Sequence, residues 1–233
     1  MATTLTDLER AERHKYRLPN GEIAVNVTAI SGYIDDGKSG AMAGAAVKIT
    51  KAGGDYRAEW RAKADRGTRI HTHTEDWLHG RPTEVLDEDQ GSIDAVEAFW
   101  LDHQPKKIEV ESIVLSDKGY GGRFDCVVEV DGENGLVDVK TGRPYPTANL
   151  WQLSAYKYAD GIAVYDDDGT LTGLRPLPRI DWCACLYIHD DGTYELTKYP
   201  VDDTSFAMFC KLLDVYKWTR TPEIKELEKR TRA

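Results

Sequence analysis

Apolar residues at helical spacing mark the segment between residues 56 and 78. Trp60, Gly67, His71 and Leu78 follow one another at intervals of seven, four and seven residues, which places them on one face of an α-helix. His71 is therefore expected to face the protein interior. Similar patterns predict further helices over residues 41–52, 92–103, 147–160 and 204–218, the third of them capped by Thr147.

Alternation of apolar and polar residues between turn residues is the signal for strands. It predicts a strand pair over 15–34 turning at Pro19-Asn20-Gly21, a strand over 108–116, and a hairpin over 179–200 turning at Asp190-Asp191-Gly192. On the strand over 108–116, Glu111 shares a face with Ile113 and Leu115, so a carboxylate lies on an apolar side. The charged tail from Thr219 onward is expected to be partly disordered.

The segment from residue 119 to residue 140 predicts a further β-hairpin, in which two alternating strands flank a loop of Gly, Asp and Asn turn residues. Antiparallel partners keep a constant sum of residue numbers. If Glu129 pairs with Leu136, Asp125 therefore lies opposite Lys140. This register is a hypothesis, because the loop is taken to have more than two residues.

Any register of the same parity collects Asp125, Asp138 and Lys140 on one patch. Val137 and Val139 flank Asp138 and indicate a buried strand, in which ionised groups need partners or a cation. Carboxylate oxygens suit Mg²⁺ or Mn²⁺, which also bind phosphate oxygens, and Lys140 could then orient or deprotonate a water. A surface hairpin with an interstrand salt bridge is the alternative, and a lone Asp-x-Lys would favour it.

The composition bounds the class of protein. The chain has 233 residues, of which 41% are hydrophobic and 30% charged, enough for a substantial core. We expect a single domain over residues 1–233, with a core over about 56–200 and extensions over 1–55 and 201–233. The first 17 residues lack an apolar signal segment, and no window approaches the ~20 apolar residues of a membrane span. A cytoplasmic protein without a membrane partner is expected.

Cysteine usage argues against a disulfide-stabilised protein. Four cysteines, Cys126, Cys183, Cys185 and Cys210, are too few and too scattered for a disulfide framework, so buried free thiols are expected. Use of ATP is not expected.

The net charge of −10 argues against contact with nucleic acid, although the local distribution of charge matters more than the total. Residues 57–69 carry five cations against Glu59 and Asp65, and Arg143 follows the central hairpin. The acids concentrate in loops such as 87–89 and 166–168, where solvated faces are expected.

Four segments in order resemble the motifs of the PD-(D/E)xK nuclease superfamily, and within it those of the RecB-like exonucleases of bacteria and phages. The segments are Gly67-x-x-x-His71, Gly122-Arg123-Phe124-Asp125, Asp138-Val139-Lys140-Thr141-Gly142 and Gln152-x-x-x-Tyr156. Each motif alone is weak, and their order makes the resemblance specific over roughly residues 60–160.

The resemblance implies a mixed central sheet flanked by helices, the restriction-endonuclease-like core, and a metal-dependent DNA nuclease. His71, Asp125 and Asp138 would bind Mg²⁺ or Mn²⁺, and Lys140 would position the water. RecB-like nucleases often have a glutamate at the place of Glu111. Metal or water binding and a salt bridge to an arginine remain equally open for it.

The resemblance also bears on substrate binding and on other cofactors. Gln152 and Tyr156, one helical turn apart, would contact the DNA backbone or the lysine, and Arg143 would add to substrate binding. Some RecB-like nucleases hold an iron–sulfur cluster through one upstream and three closely spaced C-terminal cysteines. This chain lacks that spacing, so no cluster is predicted.

The function that the resemblance implies is exonucleolytic hydrolysis of DNA in recombination, repair or replication. The alternatives are a structure-selective endonuclease of the same fold, a catalytically inactive DNA-binding module, and a metabolic or RNA-directed hydrolase. Expected partners are DNA and either a second copy of the chain or a recombination protein. If the chain is phage-encoded, the host cytoplasm is its expected location.

Overall fold

The computed structural model describes residues 15–33, 38–82 and 84–232. In these ranges the strands are β1 Val25–Asn26, β2 Lys106–Val110, β3 Ile113–Ser116, β4 Tyr120–Arg123, β5 Cys126–Val130, β6 Glu133–Lys140, β7 Gly161–Tyr165, β8 Leu171–Arg175, β9 Trp182–Ile188 and β10 Tyr194–Tyr199. The helices are α1 Val27–Ser31, α2 Lys38–Lys51, α3 Tyr56–Leu78, α4 Gln90–His103, α5 Pro146–Lys157, α6 Asp203–Trp218 and α7 Pro222–Arg232, with a 3₁₀ turn at Asp87–Asp89.

The strands form two mixed sheets within the described residues. One has the order β1-β4-β3-β7-β8 and the other β10-β9-β6-β5-β2. In the second sheet β6 runs parallel to β9 and antiparallel to β5. The predicted class, a mixed α/β fold flanked by helices, is confirmed. The single central sheet of the prediction is instead two sheets.

Two bends in the chain explain the division into two sheets. The predicted strand over 108–116 breaks at Glu111, whose φ of 50° lies in the left-handed region, so β2 and β3 belong to different sheets. The chain also leaves the first sheet after β4 and enters the second at β5. The two bends are bonded to each other, since Glu111 N–H donates to the Asp125 carbonyl at 2.7 Å and Phe124 N–H donates to the Ser112 carbonyl at 3.2 Å.

The central hairpin forms with a register two residues away from the predicted one. Glu129 pairs with Asn134 rather than Leu136, because the loop consists of only two residues, Asp131 and Gly132. Both have positive φ, 53° and 83°, as a tight two-residue hairpin turn requires. A slip of two residues keeps the parity of the strand.

The other helices and strands predicted from the sequence are partly confirmed by the structure. Helix α3 and the β9–β10 hairpin are confirmed. The strand pair predicted within 15–34 is confirmed around its turn, where Arg17 and Ile23 form an antiparallel bridge and Val25–Asn26 form β1. Its later part is wrong, because Val27–Ser31 form α1, which the Asn26 side chain caps. Thr147 is not a cap, since α5 begins at Pro146. The tail predicted as partly disordered forms α7, and the β7–β8 hairpin was not predicted.

Helices cover both faces of the second sheet. On one face Ile70 of α3 and Phe99 of α4 are buried against Val128 and Val139. On the other face, buried residues of α1, α5 and α6 pack with β5 and β6: Val27, Ile30, Leu153, Phe209, Leu213, Val127 and Leu136. Both segments predicted as extensions thus contribute to the core. The predicted free thiols are confirmed, and three of the four are buried. No helix of the described residues is long and apolar enough to cross a membrane.

Candidate metal site

Apart from Arg143, the polar residues singled out by the sequence converge on a cleft of about 260 Å³ between the two sheets and helices α3 and α5. The β2–β3 bend supplies Glu111, and the β4–β5 bend supplies Asp125. Helix α3 contributes His71, and the end of β6 contributes Asp138 and Lys140. The strand breaks that the sequence did not predict therefore carry two of the three carboxylates.

Close packing of β4 on α5 shapes the floor of the cleft. A Cβ at Gly122 would lie 2.7 Å from the ring of Tyr156 and 3.1 Å from Val27. Real Cβ atoms do not come so near, so the glycine of the Gly-x-x-Asp segment is required for this approach. Gly67 on α3 is less restricted, because a Cβ there would lie 3.4 Å from the Thr141 hydroxyl.

Among the described residues, His71, Glu111 and Asp125 form a group of side chains that could hold a metal ion. One ligand atom from each lies within 4.8 Å of the other two. The Nδ1 of His71 is 3.4 Å from Oδ1 of Asp125, whose Oδ2 accepts a 2.6 Å hydrogen bond from the Val139 N–H. Glu111 forms a 2.8 Å ion pair with Nε of Arg123. The sequence left two roles open for Glu111, metal or water binding and a salt bridge to an arginine. The structure shows the salt bridge, and it also places Glu111 in the group that could hold a metal ion.

Asp138 lies against Lys140 rather than within that group. Its Oδ2 is 2.5 Å from Nζ of Lys140, and its Oδ1 accepts a 3.0 Å hydrogen bond from Nε2 of Gln152. The side chain is almost fully buried, and within the described chain Oδ2 has the ion pair but no hydrogen bond of ordinary geometry. Asp138 as a metal ligand remains a prediction, and its incompletely satisfied oxygen suits a further cation.

Gln152 hydrogen-bonds to both Asp138 and Lys140, the catalytic pair predicted by the sequence. Its Oε1 accepts from Nζ of Lys140 at 3.0 Å, and its Nε2 donates to Asp138 and to the Tyr156 hydroxyl at 3.1 Å. Gln152 and Tyr156 are buried, so these polar groups bond within the protein. Arg143 lies on the surface with its guanidinium 4.7 Å from the Tyr145 ring centroid, and it does not line the cleft. Substrate binding by these three residues remains a prediction.

The pKa values reflect an excess of negative charge in the cleft. Burial raises the pKa of Glu111 to about 8, and the charge of Asp125 adds to this shift. Burial also raises the pKa of Asp138, although Lys140 opposes it. Burial acts in the same direction on Asp125, but His71 and Lys140 outweigh it and hold the pKa of Asp125 below its usual value. Burial lowers the pKa of His71, and the charges of Asp125 and Asp138 reverse this into a net rise.

These residues fit a divalent metal ion. Carboxylate oxygens and one imidazole nitrogen are donors that Mn²⁺ accepts, and Mg²⁺ prefers the oxygens while keeping several waters. A cation at the centre of the group would also offset the crowding of Glu111 against Asp125. His71, Glu111 and Asp125 would hold the ion, and Asp138 lines the same cleft.

Sequence reasoning assigned no role to some residues of the cleft. Arg123 is part of the Gly-Arg-Phe-Asp segment, so the motif could have drawn attention to it. Tyr16, Asn26 and Thr28 also line the cleft, but they come from a distant segment and carried no signal.

The basic stretch 57–69 is only partly available to a ligand. Arg66 and Arg69 of α3 bind the buried carboxylate of Asp89 at 3.0 Å and 2.8 Å. Arg66 also pairs with Asp190, and Arg69 with Glu88. These two arginines therefore anchor α3, and with it His71, to the rest of the protein.

Comparisons with known proteins give weak likenesses. No family model and no curated protein matches the chain. The fold is similar to that of an alkaline exonuclease from Laribacter hongkongensis, at 17% sequence identity over 71% of this chain and 84% of that one, with a TM-score of 0.38. It is also similar to the protein SSO0001, at 13% identity over 92% and 83% of the two chains, with a TM-score of 0.44. Likenesses of this extent say nothing about activity, so the site is interpreted from its own geometry.

Proposed function

We propose that the chain is a Mg²⁺- or Mn²⁺-dependent nuclease that hydrolyses phosphodiester bonds of DNA. One observation carries the proposal: the metal-ligating group of His71, Glu111 and Asp125 and the Asp138–Lys140 pair open into one cleft. The four ordered motifs that resemble RecB-like nucleases supply these same residues, with the exception of Glu111. A divalent ion held by the group would polarise a phosphate oxygen and lower the pKa of a bound water.

Lys140 is suited to orient a water or a phosphate rather than to remove a proton. Burial lowers the pKa of Lys140, but the adjacent Asp138 carboxylate outweighs burial, and the net shift is upward. The ammonium group therefore stays protonated near neutral pH and can only donate hydrogen bonds. Asp138 and Gln152 fix its position from two sides, at 2.5 Å and 3.0 Å.

Within this activity we infer exonuclease action. A site-specific endonuclease needs several contacts to base edges and phosphates, while this chain has a net charge of −10. The resemblance to RecB-like exonucleases favours the same choice. Linear DNA should be degraded progressively, and covalently closed circles should survive.

The experiment incubates the purified protein with linear and closed circular DNA in Mg²⁺, Mn²⁺ or EDTA. The wild type is compared with Asp125→Ala, Asp138→Ala and Lys140→Ala, and with Glu129→Ala as a control from the far part of β5. We expect metal-dependent loss of linear DNA by the wild type and the control only. Cleavage by Asp138→Ala at the wild-type rate would refute the site. If the wild type cuts closed circles into discrete fragments and Lys140→Ala does not cleave DNA, the active site is correct but the enzyme is an endonuclease.

A further inference from the structure

Helix α2 and the first half of α3 form a helix pair whose described side chains are not buried in the protein core. None of the described side chains of α2 is buried, and residues 56–64 of α3 are likewise at least partly exposed. Val47 on α2 is 54% exposed although it is apolar. Helix α2 therefore presents nearly all of its described side chains to solvent.

An apolar groove runs between these helices and is walled by aromatic residues. Its volume is about 490 Å³, and its lining includes Val47, Tyr56 and Trp60. The rings of Tyr56 and Trp60 meet edge to face, with centroids 5.0 Å apart and planes at 72°. This contact fixes the orientation of Trp60 at the groove.

The segment that forms the groove carries a net positive charge, in contrast to the acidic chain as a whole, and Lys51 lines the groove itself. Residues 48–63 hold five cations, Lys48, Lys51, Arg57, Arg61 and Lys63, against the carboxylates of Asp55 and Glu59. Asp55 is engaged as the cap of α3, where it accepts from the N–H groups of Arg57 and Ala58. None of the five cations forms a salt bridge within the described chain, unlike Arg66 and Arg69 further along the helix.

Trp60 is aligned with the candidate metal site. It lies eleven residues before His71 on the continuous helix α3, which is close to three full turns. The two side chains therefore project from nearly the same face, about 16 Å apart along the axis. A ligand lying along this face would contact both.

We propose that the α2–α3 groove binds single-stranded DNA and leads it along α3 to His71. Aromatic rings beside cations are the elements that bind single strands, because bases stack on the rings while phosphates meet Lys and Arg. A duplex keeps its bases stacked inside and would leave the apolar groove without a contact. The proposal rests on the proposed nuclease function, for which it names single-stranded DNA, or the single-stranded end of a duplex, as the substrate.

Binding can be measured without cleavage. Fluorescence anisotropy of a labelled oligothymidine is recorded in EDTA for the wild type, Trp60→Ala, Trp60→Phe and Arg57→Ala/Arg61→Ala. Trp218→Ala is the matched control, since Trp218 is 61% exposed on α6 away from the groove. Blunt duplex of equal length serves as competitor, and light scattering reports the oligomeric state. Circular dichroism confirms that each variant is folded.

We expect Trp60→Ala to weaken binding by about 5- to 150-fold, the range for loss of one stacked base, while Trp60→Phe and Trp218→Ala bind like the wild type. The double arginine variant should reduce the slope of log Kd against log salt by about 1.4, for two lost phosphate contacts on a single strand.

Three results would overturn the proposal: equal binding by Trp60→Ala and the wild type, equal competition by blunt duplex, or a wild-type dimer that Trp60→Ala dissociates. Because no metal is present, these results are independent of the nuclease test. If Asp138→Ala loses cleavage and Trp60→Ala binds DNA like the wild type, the proposed nuclease function is supported and only the proposed DNA-binding groove is refuted.

Discussion

Truncation of Gln152 separates two roles for the residue at the centre of the site. The sequence predicts contact of Gln152 with the DNA backbone or with the lysine, and the structure bonds its amide to Lys140 and Asp138 at 3.0 Å each. If these bonds fix the catalytic pair, Gln152→Ala should lower kcat and leave KM nearly unchanged. Lost substrate contacts would instead raise KM.

The expected magnitudes follow from the two bonds to charged groups. Each is worth about 1.5–3 kcal/mol, and removal of the amide leaves both charges partly unsatisfied. Because the space vacated by the side chain can admit water, we expect a loss of about 2–3 kcal/mol in the free energy of unfolding rather than the full sum. Displacement of Lys140 by about 1 Å would lower kcat by up to ~100-fold.

The assay is cleavage of a labelled oligonucleotide in saturating Mn²⁺, with urea unfolding of the same samples. Asn149→Ala is the matched control. Asn149 is a buried amide three residues before Gln152 on α5, less than one turn away, and its Nδ2 donates to the Tyr187 hydroxyl at 2.6 Å, not to the cleft. The Asn149→Ala variant should have a lower free energy of unfolding but an unchanged kcat. A rise in KM alone for Gln152→Ala, or an equal fall in kcat for both variants, would refute the positioning role.

Three further predictions concern the metal site and its support. His71→Ala should abolish the rise in melting temperature caused by Mn²⁺, because a ligand that binds only the folded state stabilises it; a shift of wild-type size would leave His71 as a packing residue. Asp89→Ala should lower the free energy of unfolding in urea by about 3 kcal/mol, since Arg66 and Arg69 lose a buried partner, and a loss below about 1 kcal/mol would contradict this. Mn²⁺ binding should strengthen as pH rises towards about 8, because the ion must displace a proton from Glu111; calorimetric titration without this trend would remove Glu111 from the ligands.

Patterns within a single element were predictable from the sequence. Helix α3 was predicted with its observed bounds, because a long periodic pattern leaves few alternatives. In the central hairpin, Asp138 and Lys140 reached the cleft despite the wrong register, because the slip of two residues kept each side chain on its face.

Bends and tertiary partners were not predictable. Glu111 turns the chain with a positive φ that glutamate rarely adopts, so the alternating pattern concealed the break between two sheets. The resemblance offered Lys140 as one alternative partner of Gln152, but the bond to Asp138 depends on how α5 lies over β6, which a helical pattern does not encode. In the same way, the sequence pattern suggested that Arg66 and Arg69 were available to bind DNA. In the fold both arginines form ion pairs with the buried carboxylate of Asp89.

The central claim, that His71, Glu111 and Asp125 hold a divalent cation, is tested most directly by anomalous diffraction from crystals grown with Mn²⁺. The account predicts a manganese peak within ligand distance of all three side chains, about 2.0–2.3 Å from their nitrogen and oxygen atoms. It also predicts loss of that peak in crystals of Asp125→Ala. A peak elsewhere in the chain, or none at a concentration of Mn²⁺ that supports cleavage, would contradict it.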